Sequence, residues 1–388
     1  MSLKIAVVTS YFPNSAQPYR GHSAYHTLRS MASRATVRVF CPITRYPDWF
    51  PPRRFPYYRT DLNHRLPDVD VEYFEYPVVP LFSRPFNPAI CRRRLISRIK
   101  AFEPAVLLNY FVYPEGCAAV SVAEDLKIPV VLGVIGSDVN RIPDAVTRWH
   151  TQRALRRATC VIALSQQLRR QAVRLGASCH HVATIPNGCD LNVFHPRDRA
   201  AARLRVGVPE DAELILFAGW IAPTKGVREL FEAFAVLSKK RPSARLALVG
   251  EGALASEIAA QAQAAGLAHR LLMPGTLTSL EVAEWMAAAD VFCLPSYAEG
   301  CPNVILEALA CGIPVVASAV GAIPDLVDDG CGILVPARDS LALSQALGAA
   351  LAAAWDRSYI AAKWNRSWSS VAEETLAVCS NAVARGAN

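Results

Sequence analysis

Residues 299–312 read Glu-Gly-Cys-Pro-Asn-Val-Ile-Leu-Glu-Ala-Leu-Ala-Cys-Gly. Pro302 suits the first turn of a helix, where its missing N–H would have no partner, and Gly312 suits the end of that helix. The free N–H groups at a helix N-terminus favour a phosphate, while the carboxylates of Glu299 and Glu307 can accept hydrogen bonds from sugar hydroxyls. The stretch therefore predicts a nucleotide-sugar site. The alternative is an ordinary helix start with one exposed and one capping carboxylate.

Strand and helix patterns alternate along the chain in two successive series. Such alternation predicts parallel sheets that are covered by helices on both faces. The predicted strands of the first series are 4–9, 36–41, 69–73, 105–109, 130–135 and 160–164, and those of the second are 213–218, 245–249, 270–273, 291–294, 315–317 and 333–335.

A segment rich in proline and aromatic residues, 42–88, interrupts the first series and predicts a long surface excursion. Three interpretations of its aromatic and arginine side chains stay open: an acceptor site, a membrane contact or a packed lid. These side chains are Trp49, Phe50, Arg53, Arg54, Phe55, Tyr57 and Tyr58.

A turn-rich segment, Pro186-Asn187-Gly188-Cys189-Asp190 followed by Phe194-His195-Pro196, separates the two series. Together with the Glu-x7-Glu spacing of Glu299 and Glu307, it resembles the retaining glycosyltransferases of family 4. The resemblance implies the α/β GT-B fold, in which two Rossmann-like, doubly wound parallel-sheet domains face a central cleft. It further implies an acceptor-binding domain at 1–190, a donor-binding domain at 191–366, and a C-terminal helix at 367–388 that packs back on the first domain.

The same resemblance assigns the donor-binding residues. Lys225 would contact the donor diphosphate and Glu307 the ribose, while Glu299 would hold the donor sugar; Lys225 and Glu299 are the catalytic candidates. Trp220 is a departure, because many members of the family have an arginine there and tryptophan cannot bind phosphate in a bidentate way. The remaining donor-side candidates are Gly21, Gly219, Gly250, Gly252, Gly300, Cys301, Pro302 and Asn303.

Two acceptor-side candidates lie in the first half of the chain. His22 follows Gly21 after the first strand, and Asp138 follows the strand at 130–135. Asp138 either contacts acceptor hydroxyls or caps the next helix. Ile135 occupies a position where many members of the family have histidine, so a catalytic histidine is not predicted.

The expected activity is transfer of a sugar, with retention of anomeric configuration, from a nucleotide diphosphate sugar to a glycan or lipid-linked acceptor. A UDP-sugar is favoured as the donor. Without an Asp-x-Asp motif, we expect neither a metal nor another cofactor. The alternatives are a non-catalytic nucleotide-sugar-binding scaffold and a nucleotide-sugar epimerase. A dehydrogenase is disfavoured, because no acidic residue follows the glycines at 250 and 252 at the ribose-binding spacing.

The net charge of +8 is unevenly distributed, with +12 in residues 1–198 and −4 in residues 199–388. The basic half fits either a solvated surface or docking on an anionic bilayer. We expect no nucleic-acid partner, because no nucleic-acid-binding module accompanies the charge.

No apolar run reaches the length of a membrane span, and the 11 cysteines show no disulfide or zinc spacing. The predicted location is the cytoplasm, and the alternative is a peripheral position on the inner face of the plasma membrane.

Overall fold

The computed structural model describes residues 2–47, 60–79 and 82–386, so the side chains predicted at 49–58 lie outside the described residues. The chain forms two compact units. Unit 1 is Met1–Asn187 with Trp368–Asn388, and unit 2 is Gly188–Ser367. The boundaries predicted from the sequence, after residues 190 and 366, lie within a few residues of this division.

Unit 1 is built on a seven-stranded parallel sheet with the strand order β3-β2-β1-β4-β5-β6-β7. Its strands are β1 (Lys4–Val8), β2 (Thr36–Arg45), β3 (Asp70–Pro77), β4 (Val106–Tyr110), β5 (Val130–Val134), β6 (Cys160–Ala163) and β7 (Val182–Thr184). Its helices are α1 (His22–Ala32), α2 (Asn87–Phe102), α3 (Cys117–Leu126), α4 (Ser137–Asn140), α5 (Ala145–Arg157) and α6 (Gln166–Arg174), with a last helix at Trp368–Gly386.

Both faces of this sheet are buried, as the continuous apolar sequence of its strands predicts. Successive side chains of β1 alternate between two cores. Ile5 and Val7 pack with α1 and the helix Trp368–Gly386, whereas Ala6 and Val8 pack with α2, α3, α5 and α6. Arg34, just after α1, forms an ion pair of 2.8 Å with Glu373, and the last helix of the chain is part of unit 1.

The interpretation of 42–88 as one surface excursion is wrong, because much of this segment joins the sheet. β2 continues to Arg45, and the whole of β3 pairs with it in parallel. The sequence favours an end of β2 at Cys41, since proline interrupts most strands. Pro42 is tolerated because the pairing of β1 with β2 ends at Phe40, so its missing N–H costs no bond on that side.

Unit 2 is built on a six-stranded parallel sheet with the order β10-β9-β8-β11-β12-β13. Its strands are β8 (Glu213–Ala218), β9 (Ala244–Val249), β10 (Leu271–Gly275), β11 (Val291–Leu294), β12 (Val315–Ser318) and β13 (Gly332–Val335). Its helices are α7 (Arg199–Val206), α8 (Val227–Leu237), α9 (Ala255–Ala264), α10 (Ser279–Ala288), α11 (Asn303–Ala310), α12 (Ile323–Leu326), α13 (Ser340–Ala352) and α14 (Arg357–Lys363); the helix Trp368–Gly386 of unit 1 is α15. The predicted arrangement of two parallel-sheet domains is confirmed.

Candidate functional site

An ion pair lies at the carboxyl edge of the unit 2 sheet, where ligands bind in open parallel sheets. Lys225 Nζ donates to Glu299 Oε1 at 2.6 Å. Lys225 ends a 3₁₀ turn, Pro223–Lys225, that follows β8, and Glu299 lies in the loop after β11. The Glu299 side chain is 10% exposed and that of Lys225 is 30% exposed. The structure thus brings the two catalytic candidates together, and the Lys225 ammonium group keeps two further N–H donors for a ligand.

The glycine candidates of unit 2 lie where two loops pass close to each other. A Cβ atom on Gly250 would lie 2.1 Å from the carbonyl oxygen of Gly219, and one on Gly252 would lie 2.3 Å from that of Ile221. Real Cβ atoms do not approach so closely, and both glycines also have positive φ. The loops after β8 and β9 therefore form one joined surface at this edge of the sheet.

Helix α11 begins at Asn303, four residues after Glu299 of the ion pair, and its N-cap residue provides no side-chain cap. Pro302 is the N-cap residue and forms no side-chain cap hydrogen bond. Gly300, Cys301 and Asn303 surround this helix start, as predicted. A helix N-terminus without a side-chain cap offers N–H groups and a positive dipole end to an anion.

Glu307 lies within α11, in surroundings that disfavour its charge. Desolvation by burial raises the pKa of its carboxyl group to about 7. The buried thiols of Cys189 and Cys311 lie within its electrostatic reach. With a pKa of about 7, this carboxyl group is about half-ionised near neutral pH, so its charge responds to whatever binds there.

Trp220 is largely open to solvent in the loop after β8, with 57% of its surface exposed. The adjacent Gly219 has a φ of 150°, and the amide of Ile221 donates to the carbonyl oxygen of Glu251 at 2.8 Å. An indole at this position supplies a flat apolar face and a single N–H donor in place of a cation.

Gly21 and His22 lie at the start of α1 in unit 1. Gly21 is the N-cap residue with a φ of 63°, and a Cβ atom there would lie 2.0 Å from the carbonyl oxygen of Tyr11. His22 Nε2 lies 2.9 Å from His26 Nε2, and burial lowers the pKa of His22. His26 in turn stacks on Trp368 of α15.

Asp138 is buried, and its carboxylate is occupied by backbone amides. It accepts hydrogen bonds from the amides of Gly136 at 2.8 Å, Ile135 at 3.2 Å and Val112 at 3.3 Å. Burial raises its pKa to about 6 in spite of these bonds. The carboxylate therefore ties the loop after β5 to the loop after β4, and its contact with an acceptor stays a prediction.

We expect Asp138→Ala to lower the free energy of unfolding by about 2 kcal/mol, because it leaves these buried amides without an acceptor. Urea denaturation measures this, with Asp125→Ala as the control. Asp125 pairs with Arg92 on the surface of the same unit and should contribute less than about 1 kcal/mol. Unchanged stability combined with a raised KM for the acceptor would instead favour direct acceptor contact.

Two supporting features were missed by the sequence analysis. Glu115 is buried and accepts hydrogen bonds from the amide and hydroxyl of Ser10, which join the ends of β1 and β4. Gly321, after β12, has a φ of 62°, and its Cβ atom would lie 2.1 Å from the carbonyl oxygen of Glu299. The position of Gly321 just after a predicted strand could have indicated a close backbone approach there, whereas nothing in the sequence links Ser10 to Glu115.

Comparison with known proteins identifies the class of protein to which this chain belongs. The model of the family described as Glycosyl transferases group 1 matches residues 212–353, and that of Glycosyltransferase Family 4 matches residues 21–193. The putative teichuronic acid biosynthesis glycosyltransferase TuaC of Bacillus subtilis is 29% identical over 366 residues, which cover 89% of this chain and 88% of TuaC. D-inositol 3-phosphate glycosyltransferase of Xylanimonas cellulosilytica is 36% identical over 214 residues, 52% of this chain and about half (51%) of that relative.

Among solved structures, Anabaena Alr3699/HepE in complex with UDP superposes with a TM-score of 0.75 at 18% identity, and the match covers 98% of this chain and 100% of that one. This likeness confirms the GT-B fold. The protein is a glycosyltransferase, and the chain belongs to the family 4-like glycosyltransferases.

Proposed function

We propose that the protein transfers a sugar from a UDP-sugar to a glycan or lipid-linked acceptor with retention of anomeric configuration. The observation that carries this proposal is the Lys225–Glu299 ion pair beside the start of α11, where Pro302 as the N-cap residue provides no side-chain cap. The Lys225 ammonium group and the helix amides can donate hydrogen bonds to a diphosphate, and the Glu299 carboxylate can accept hydrogen bonds from the hydroxyls of the attached sugar. The HepE structures with UDP and with UDP and glucose support the choice of donor.

In this mechanism the bond between the anomeric carbon and the diphosphate breaks through an oxocarbenium-like transition state. The acceptor hydroxyl attacks the anomeric carbon on the face that the leaving group vacates, and its proton passes to a diphosphate oxygen. Lys225 and the first amides of α11 stabilise the negative charge that develops on the diphosphate. Glu307 accepts hydrogen bonds from the ribose, and no metal is required.

TuaC is named for teichuronic acid biosynthesis, so a surface polysaccharide or its lipid-linked precursor is the acceptor class that we propose. His22 at the start of α1, with the loops after β4 and β5, is the part of unit 1 that we propose to hold it.

The test begins with thermal unfolding in the presence of UDP, GDP and ADP. A nucleotide that binds at about 100 times its dissociation constant should add about 2.7 kcal/mol to the free energy of unfolding. We expect this with UDP, and we expect its loss in Lys225→Ala and Glu307→Ala. Proton NMR of the product formed from a UDP-sugar with an α-linked donor then gives the anomeric configuration, and a β-linked product contradicts retention.

Measurements of binding and of product formation together distinguish the transferase from the scaffold and the epimerase. Binding of a nucleotide sugar without turnover in the presence of any glycan acceptor would favour the scaffold, and Trp220 would then mark a lost phosphate contact. Conversion of the nucleotide sugar without an acceptor would favour the epimerase. No shift with any nucleotide would contradict the proposed donor site.

A further inference from the structure

Five large apolar side chains that are open to solvent lie on two segments of unit 1 that contact each other. Phe82 is 81% exposed, Phe86 63%, Trp149 55%, Val146 39% and Val79 36%. Exposed aromatic side chains that cluster in this way mark an interaction surface more often than scattered single residues do. None of them is among the candidate donor-binding residues.

Backbone and side-chain contacts hold the two aromatic segments against each other. Phe82 and Phe86 lie just before and at the end of a 3₁₀ turn, Arg84–Phe86, and Trp149 lies on α5. His150 Nε2 lies 3.0 Å from the carbonyl oxygen of Pro85, which fixes α5 against this turn. Val146 and Trp149 are one helical turn apart on the exposed side of α5. We call Phe82, Phe86, Val146 and Trp149 the aromatic patch.

The turn and the two helices that adjoin the aromatic patch are rich in arginine, and several of these arginines have no acidic partner among the described residues. Helices α2 and α5 contain no aspartate or glutamate. Arg84, Arg92 and Arg157 form ion pairs with Asp144, Asp125 and Glu124. By contrast, a second group is exposed and forms no ion pair with any residue in the described part of the chain; this arginine rim consists of Arg93, Arg94, Arg148 and Arg153.

Apolar rings among unpaired cations are complementary to an anionic lipid bilayer. Aromatic side chains partition into the boundary between headgroups and acyl chains, and arginines there bind lipid phosphates. The Arg153 guanidinium lies over the Trp149 ring, 5.7 Å from its centroid, so cation and ring already share one face. A protein partner would need acidic groups in register with the rim, whereas a bilayer supplies diffuse negative charge at any position.

We propose that the aromatic patch and the arginine rim dock unit 1 on an anionic membrane surface. Of the described residues, none forms a helix of the length and hydropathy needed to cross a bilayer. The hydroxyl of Tyr113, after β4, donates to the carbonyl oxygen of Arg84. Docking would therefore hold the loops after β4 and β5 at the lipid surface, where a lipid-linked acceptor is found.

Co-sedimentation with vesicles of phosphatidylglycerol and phosphatidylcholine in equal parts tests this. We expect the protein to bind these vesicles, to bind phosphatidylcholine vesicles weakly, and to lose affinity as salt is raised. The triple variant Phe82→Ser, Phe86→Ser, Trp149→Ser and the double variant Arg148→Glu, Arg153→Glu should each weaken binding by at least about tenfold.

The matched control removes exposed apolar side chains of unit 2, with Leu280→Ser, Leu341→Ser and Tyr359→Ser together. This variant should bind vesicles as the unchanged protein does. Thermal unfolding verifies that every variant is folded, since all the replaced side chains are exposed. Equal binding by the patch variants and the unchanged protein, or no vesicle binding at all, would overturn the proposal.

A second copy of the chain is the other occupant to test. Light scattering that shows a dimer, which the triple variant converts to a monomer while vesicle binding stays unchanged, would assign the patch to self-association and overturn membrane docking. The vesicle assay uses no sugar donor, so its failure leaves the proposed transfer reaction untouched. Failure of the nucleotide-binding test leaves the docking result equally intact.

Discussion

We expect Lys225→Met to lower kcat for sugar transfer by about 10²–10³-fold, the loss typical of a group that stabilises charge developing in a transition state. The reason is the position of Lys225 Nζ, which Glu299 holds at 2.6 Å beside the start of α11. Methionine keeps the length and apolar volume of the lysine stem while it removes the charge. Steady-state kinetics with the UDP-sugar and an acceptor measures the change, with Lys240→Met as an exposed control in the same unit.

The ion pair makes a second, sharper test possible. If Glu299 orients Lys225 as well as the donor sugar, the two residues act as a unit, and their effects are not additive. Glu299→Gln with Lys225→Met should then be little worse than the more damaging single variant. If the fold-decrease in kcat of the double variant equals the product of the two single decreases, the two side chains act separately. A kcat of Lys225→Met within tenfold of that of the unchanged protein would contradict the role assigned to Lys225.

The parts of the site that the sequence predicted well are those confined to one short segment. The start of α11 at Asn303 and the positions of Glu299 and Glu307 follow from proline, glycine and apolar spacing within fourteen residues of chain. The strands β8 and β11 were predicted with the observed bounds. Local sequence determines these features, so local sequence is sufficient to predict them.

Other features depend on residues distant in the sequence and were not predictable. β7 has only three residues, too few for a periodic pattern, and exists because it pairs with β6. The hydrogen bond of Ser10 to Glu115 joins residues 105 positions apart. The Lys225–Glu299 pair spans 74 positions, and the sequence placed both residues at the donor site without indicating that they touch.

Glu307 is the second residue for which we expect a large effect, and here the effect depends on pH. Burial raises the pKa of its carboxyl group to about 7, so the group is largely protonated at pH 6 and largely ionised at pH 8. An ionised carboxylate accepts hydrogen bonds from both ribose hydroxyls, whereas a protonated one is a poorer acceptor. The dissociation constant of the donor should therefore fall by up to about tenfold for each pH unit as pH rises towards 7, and then level off.

Calorimetry with an intact UDP-sugar measures this dependence. Free UDP is unsuitable, because its terminal phosphate titrates with a pKa of about 6 and would add a pH dependence of its own. Glu307→Gln should weaken donor binding at pH 8 by about 10- to 100-fold, the value of hydrogen bonds to a charged group. Near pH 5.5, where the carboxyl group of the unchanged protein is also neutral, the two proteins should bind the donor about equally.

The stability of the protein without ligand should depend on pH with the opposite sign, because ionisation of Glu307 favours donor binding but disfavours the folded state. Because the pKa of Glu307 is higher in the folded protein than in the unfolded chain, its contribution to stability is greatest below about pH 4.5 and is lost as pH rises through about 7. Glu307→Gln should therefore raise the melting temperature at pH 8 and leave it nearly unchanged at pH 4.5. A variant that binds the donor less tightly yet unfolds at a higher temperature has lost a binding group rather than its fold. Reduced stability at pH 8 would contradict this assignment.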